Sequence, residues 1–274
     1  MITGIDVSKH QGVIDWEKVK ASGIKFVIIR AGYGRTTVDE QFVNNVEGCI
    51  KYGIPFGIYW FIYGVNEAEA MQNAYKCHET IAPYKDKITM KVWCDLEYDT
   101  DSNAVKRGVG LTKDVRTKMV VAFCERMKGY GYDVGNYAND DYIKRKFNDL
   151  SQYPLWFAKY SGNKPLYDCF MWQYSSKGSV PGVNGKCDMN YLYGELGTEE
   201  ETKVEESEEY KMPTIKKGSK GKAVKVWQVI VGVPADGKFG SITEVATKTW
   251  QKNHGLVADG IVGPKSWKAG LESL

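Results

Sequence analysis

Lys25-Phe26-Val27-Ile28-Ile29-Arg30 is a short apolar run, and Ile54-Pro55-Phe56-Gly57-Ile58-Tyr59-Trp60-Phe61-Ile62 is a second, with Gly53 and Pro55 punctuating its start. Between them Phe42, Val46, Cys49 and Ile50 recur at the spacing of one helix face. Strand, helix, strand in that order is a βαβ unit, and the same alternation extends on both sides. Residues 2–7 read as an earlier strand, followed by a helix around residues 15–22. Residues 66–81 read as a helix, with Asn66 and Glu69 in the spacing of an N-terminal cap. Residues 89–97 form the next strand. Residues 112–128 give a clear helix, capped by Thr112 and striped by Val115, Met119, Ala122, Phe123 and Met127. Shorter strands follow at residues 133–137, 156–158, 170–173 and 187–189, with little helix between the last three. About eight strands, with full βα units only in the first half, predict an α/β fold. It is a (β/α)8-like barrel with degraded helices in its second half, an open sheet being the alternative.

The charge is unevenly laid out. Residues 195–209 hold eight Glu and one Lys, while residues 210–274 hold eleven Lys against two Asp and two Glu. The acidic block reads as a linker over 195–212. Beyond it, Val224-Lys225-Val226-Trp227-Gln228 matches Thr247-Lys248-Thr249-Trp250-Gln251, at a period of 23 residues. Gly232 matches Gly255, Asp236-Gly237 matches Asp259-Gly260, and Gly240 matches Gly263. Each unit is a helix, a glycine stop and an Asp-Gly turn. Units this short must share one core, so residues 213–274 predict a small all-helical domain built on Trp227, Trp250 and Trp267. Its basic charge suits an anionic polymer. It has no Arg for base readout, which disfavours nucleic acid.

Four carboxylates lie at or near strand ends: Asp6, Asp95, Glu97 and Asp188. In a βα barrel the carboxyl ends of the strands converge on one mouth. Asp95 and Glu97 are two apart on one strand, so they share a face with Cα atoms about 6.6 Å apart. One protonated acid with a second, negative group is what cleavage of a glycosidic bond requires. A carboxylate metal site and solvated or structural acids are the other readings. His10, His78 and His254 do not pair at ligand spacing, which weakens the metal reading. Tyr63, Tyr137, Trp172 and Gln173 fall near the same mouth and are candidates for stacking on, or hydrogen bonding to, a sugar; core filling is the alternative for the rings. The six cysteines contain no C-x-x-C pair and are expected to be reduced, buried thiols. No cofactor is expected.

These pieces resemble glycoside hydrolase family 25, the muramidases of phage endolysins and of bacterial or fungal lysozymes. The likeness runs through Asp6-Val7-Ser8 with Gln11-Gly12 and Asp15-Trp16, residues 26–31 with Asp39 and Phe42, and Gly57-Ile58-Tyr59-Trp60-Phe61. It continues through Asp95-Leu96-Glu97, Trp172-Gln173-Tyr174-Ser175 and Cys187-Asp188-Met189-Asn190, over residues 1–194. The resemblance implies hydrolysis of the β-1,4 bond between N-acetylmuramic acid and N-acetylglucosamine, with net retention. It makes Glu97 the acid/base and Asp95 the stabilising or orienting residue, with Asp6 and Asp188 in support. Arg30-Ala31-Gly32-Tyr33-Gly34 departs from the family's commoner segment, so Arg30 becomes a candidate for an altered cleft wall. The tail is similar to a peptidoglycan-binding domain, with Trp227, Asp236, Trp250, Asp259 and Trp267 as its marker residues.

The partner implied is bacterial peptidoglycan. The alternatives are a wall hydrolase of other specificity, such as a glucosaminidase, and a non-catalytic wall-binding protein. The first residues show no signal-peptide pattern, and no segment has the length of a membrane span. The expectation is synthesis in a host cytoplasm and action on the wall after holin-dependent release or lysis.

Overall fold

In the computed structural model, which describes residues 2–162, 165–195 and 212–271, β1 (Ile2–Val7) pairs in parallel with β2 (Phe26–Tyr33). The end of β2 turns back into the two-residue β3 (Thr37–Val38). Parallel pairing then continues through β4 (Phe56–Phe61), β5 (Val92–Asp95), β6 (Val134–Asn139), β7 (Leu155–Ala158) and β8 (Met171–Gly178). β9 (Cys187–Leu192) runs antiparallel to both β8 and β1, and so closes an eight-stranded barrel. The reversed last strand departs from a fully parallel barrel. Parallel neighbours need a long crossover, whereas antiparallel neighbours can be joined by a loop. Residues 179–186 are such a loop.

Helices α1 (Trp16–Ala21), α2 (Phe42–Lys51), α3 (Glu67–Ile81), α4 (Tyr98–Lys106) and α5 (Lys113–Gly129) serve the first half. Beyond β6 there is one π-helical turn at Tyr142–Lys146, and among the described residues no helix separates β7, β8 and β9. The degraded second half is therefore as expected. Asn66 and Thr112 cap α3 and α5 through the backbone N–H groups of Glu69 and Val115. The Glu69 carboxylate reaches past its cap to the Val65 N–H and also pairs with Arg107. Helix α4 escapes the periodicity reading because it buries only Thr100 and Ala104.

Alternation along the strands sorts the side chains. Val27, Ile29, Ile58, Trp60, Val92, Cys94 and Val134 face outward under the helices. Phe26, Ile28, Trp93, Tyr137, Trp156 and Met171 face inward. Two glycines make room for the inner rings. A Cβ on Gly4 would lie 2.5 Å from the Phe26 ring, and one on Gly135 would lie 2.2 Å from that of Trp93. The lower barrel is thus plugged by aromatic rings, which leaves its upper mouth as the place for polar groups. All six cysteines are buried and unbridged.

The chain divides into two units, residues 1–200 and 201–274. Of the expected acidic linker, residues 196–211 lie outside the described residues. The second unit is helical: α6 (Lys222–Ile230), α7 (Ser241–Asn253) and α8 (Pro264–Leu271). Trp227 and Trp267 are buried, and Trp250 packs edge-on to Trp227 at 5.0 Å. The repeat is a repeated hydrogen-bond pattern. Gln228 Nε2 donates to Asp236 Oδ1, the Lys238 carbonyl and Thr243 Oγ1, and its Oε1 accepts from the Gly237 N–H. Gln251 does the same with Asp259, Ile261, Ser266 and Gly260. Both glutamines are buried, so an amide lost from one strands two backbone groups and two side-chain partners. Gln251→Ala is expected to lower the stability of this unit by roughly 2–4 kcal/mol. An unchanged thermal transition of the unit would contradict that.

Candidate active site

The four expected acids converge on the upper mouth. Asp6 and Asp188 are direct partners across the β1–β9 pair, on the inward face. Asp95 ends β5, paired with Phe61 on one side and Tyr137 on the other. β5 stops there, short of the expected end at Glu97. Leu96 stays buried, and Glu97, still extended at φ −143°, occupies the N-cap position of α4 without capping it. The extended backbone carries the alternation on, so Glu97 keeps the face of Asp95.

Crowding sets the protonation. Burial and then the neighbouring Asp188 push Asp6 up to about 8. Burial raises Asp188 as well. Burial, then Asp99 and Asp188, lift Glu97 to about 7. Burial and then Glu97 hold Asp95 well above the usual carboxylate range, with Arg30 opposing. One Asp95 oxygen, Oδ1, is buried with no partner among the described residues. A buried lone acceptor of raised basicity is a site for an incoming N–H or O–H donor.

Arg30 enters the mouth from β2. Its Nε donates to Asp39 Oδ2 at 2.7 Å, while its Nη2 is buried with no partner among the described residues. Asp39 is fixed in turn by the Lys9 and Gln41 N–H groups. A register shift between Arg30 and Gly32 then sets Tyr33 opposite Phe61. Tyr33 packs edge-on to Tyr63 at 5.8 Å, and Phe61 lies 5.0 Å from Tyr63. These three half-buried rings form an aromatic wall beside the acids. Tyr63 was expected there; Tyr33 was not, because a bulge cannot be read from alternation, whereas Phe61 follows from plain alternation after Tyr59.

Tyr137 lies deeper, buried edge-on to Trp156 at 4.8 Å. Its hydroxyl donates to Gln173 Oε1 at 3.0 Å. Trp172 corrects the expectation. Met171 and Gln173 take the inward positions of β8, so Trp172 points outward into a cluster with Phe157 and Cys169. Its indole N–H is spent on the Lys159 carbonyl. Tyr160 was missed: it lies in the loop after β7, and its hydroxyl donates to Gln173 Oε1 at 2.9 Å. In the C-terminal unit, Trp227 and Trp267 are core residues, Asp236 and Asp259 brace turns, and Trp250 stacks on His254 at 3.8 Å.

Paired carboxyls of raised pKa beneath an aromatic wall, at the mouth of a βα barrel, form the arrangement of a glycosidase-type site. The chain belongs to the glycosyl hydrolases family 25, whose model matches residues 5–183. Residues 223–269 match the model of a putative peptidoglycan binding domain. The chain is 26% identical over 190 residues to the autolytic lysozyme of Clostridium acetobutylicum, covering 68% of this chain and 54% of that protein. It is 29% identical over 203 residues to lysozyme M1 of Streptomyces globisporus, covering 70% and 68%. The modular autolysin LytC from Streptococcus pneumoniae, solved with a synthetic peptidoglycan ligand, aligns with a TM-score of 0.61 at 26% identity, over 70% of this chain and 46% of that one. The chain therefore spans about half the length of the first of these relatives and of LytC. No helix among the described residues is long and apolar enough to cross a membrane.

Proposed function

We propose that this chain is an N-acetylmuramidase that hydrolyses the β-1,4 bond between N-acetylmuramic acid and N-acetylglucosamine in bacterial peptidoglycan. The observation that carries the reading is Glu97: a carboxyl lifted to about 7, at the mouth, beside the buried Asp95. Such a group holds its proton near neutrality and can deliver it to the departing glycosidic oxygen. It can then take a proton from water, which is the exchange of roles that retention requires. Asp95 accepts a hydrogen bond from the 2-acetamido N–H on its unpartnered oxygen, and its ionised form, which Arg30 favours against burial, stabilises the cationic centre as it forms. The aromatic wall and Arg30 hold the glycan. The names of the relatives and the peptidoglycan ligand of LytC support the substrate class.

The new reducing end decides the bond. Digestion of purified peptidoglycan followed by borohydride reduction is expected to convert muramic acid to its alditol. Reduced glucosamine would make the chain a glucosaminidase, and no new ends would make it a binding protein alone.

Within this reading residues 1–194 do the chemistry, residues 195–212 link, and residues 213–274 hold the enzyme on the wall. Linkage to the polymer raises the local concentration of the barrel without altering its chemistry. Fragment 210–274 is expected to pellet with purified walls, less at high salt but not to zero, since charge is screened while short-range contacts persist. Absence of pelleting at every salt concentration would remove the anchoring role.

A further inference from the structure

Asp6 Oδ2 accepts two side-chain amides. Gln173 Nε2 donates to it at 2.9 Å and Asn190 Nδ2 at 2.8 Å. Each amide is gripped at its other end. Gln173 Oε1 accepts from the hydroxyls of Tyr137 at 3.0 Å and Tyr160 at 2.9 Å. Asn190 Oδ1 accepts from Trp156 Nε1 at 2.8 Å. An amide whose oxygen is held by donors must turn its NH2 the other way, so neither group can flip. Both donors lie on one oxygen of Asp6, and Asp188 stands directly opposite Asp6 across the sheet. Asp6, Gln173, Asn190, Tyr137 and Trp156 are buried, Asp188 is half-buried, and Tyr160 is 55% exposed.

We propose that Gln173, Asn190 and Tyr160 are positioning residues for the Asp6–Asp188 pair. The two amides fix the orientation in which the pair faces Glu97, and Tyr160 carries the relay to the cleft surface. The proposal rests on the reading of Glu97 as the acid. Without these donors Asp6 turns freely and the pair takes up a second proton more readily, because the amides favour the ionised form of Asp6. The other groups that feel the pair are Asp95 and Glu97 from the β5 end, Tyr59 from β4, Tyr137 from β6, and Cys187 from β9.

The test is steady-state kinetics of the full chain on soluble peptidoglycan fragments, across pH. Tyr160→Phe removes one of two donors to Gln173. It is expected to lower kcat about threefold with KM unchanged, less than a whole hydrogen bond to a charged group is worth. Tyr137→Phe with Tyr160→Phe frees the amide, and the loss should exceed the product of the single losses. Gln173→Leu should lower kcat roughly 10- to 100-fold, the worth of one hydrogen bond to a charged group. Adding Tyr160→Phe to Gln173→Leu should then cost nothing more. The acid limb of kcat/KM should move to higher pH by about one unit in Gln173→Leu. If Gln173→Leu does not fold, Tyr137→Phe combined with Tyr160→Phe carries the same test, since it loses only two hydroxyls. Independent, multiplying effects of Tyr160→Phe and Gln173→Leu would overturn the proposal. So would Tyr160→Phe raising KM alone with an unmoved pH profile. Glu97→Gln separates this proposal from the reading beneath it. Parental activity in that variant overturns both. An inactive Glu97→Gln beside relay variants of parental kcat and acid limb overturns the relay alone.

Discussion

Glu97→Gln is expected to lower peptidoglycan cleavage by roughly 10²–10⁴-fold while leaving wall binding intact, because an amide cannot supply the proton that the departing oxygen needs. Turbidity clearance of purified walls at equal enzyme concentration measures it. Clearance within about tenfold of the parent would remove Glu97 from the acid role. The parental pH profile carries the same assignment. The working form of Glu97 is protonated, so kcat/KM should fall as pH rises through about 7. The stability sign follows from the same shift. The folded state holds this proton more tightly than the unfolded chain, so between the ordinary glutamate value and about 7 the fold loses stability as pH rises. Glu97→Gln removes that loss. Its melting temperature should exceed the parent's by a few degrees at pH 8 and match it near pH 4. A variant less stable than the parent at pH 8 would mean that Glu97 is held by interactions the amide breaks, and that its raised value comes from elsewhere.

Asp95→Asn is expected to cost roughly 10²–10³-fold in kcat, the scale of removing one preorganised group that stabilises transition-state charge. The shape of the side chain is kept, so the fold should survive. Removing a buried acid crowded by Glu97 and Asp6 should leave the melting temperature unchanged or raised at neutral pH. The chemistry divides on the substrate. If Asp95 orients the 2-acetamido group, a substrate lacking that group is cleaved as poorly by the parent as the natural one is by Asp95→Asn. If Asp95 attacks the sugar itself, the parent keeps its rate on that substrate, and a glycosyl–aspartate adduct accumulates with a 2-fluoro sugar carrying a good leaving group, since the adduct forms fast and hydrolyses slowly. Parental kcat in Asp95→Asn would exclude both roles.

Much of this was legible in the sequence for local reasons. Periodicity reports burial, and burial on two faces of short strands alternating with helices leaves few folds open. Asp95 and Glu97 could be paired because alternation acts over two residues. The 23-residue repeat announced a shared core, since each unit repeats the same Trp-Gln and Asp-Gly chemistry. Other features depend on contacts across the sheet. The reversal of β9 puts Asp188 opposite Asp6, although 182 positions of chain separate them. The bulge after Arg30 turns Tyr33 toward Phe61, against simple alternation. Trp172 and Gln173 are neighbours in sequence and were both assigned to the cleft, yet successive residues of a strand cannot share a face. The register of β8 against β9 chose Gln173 and sent Trp172 outward. Tyr160 carries no local signal, because a loop residue is defined by what it reaches. Local patterning was enough for which segments fold and which acids share a strand end, because those depend on side chains a few residues apart. Which of them meet was settled by the folded barrel, because pairing, register and closure bring together groups that the chain keeps far apart.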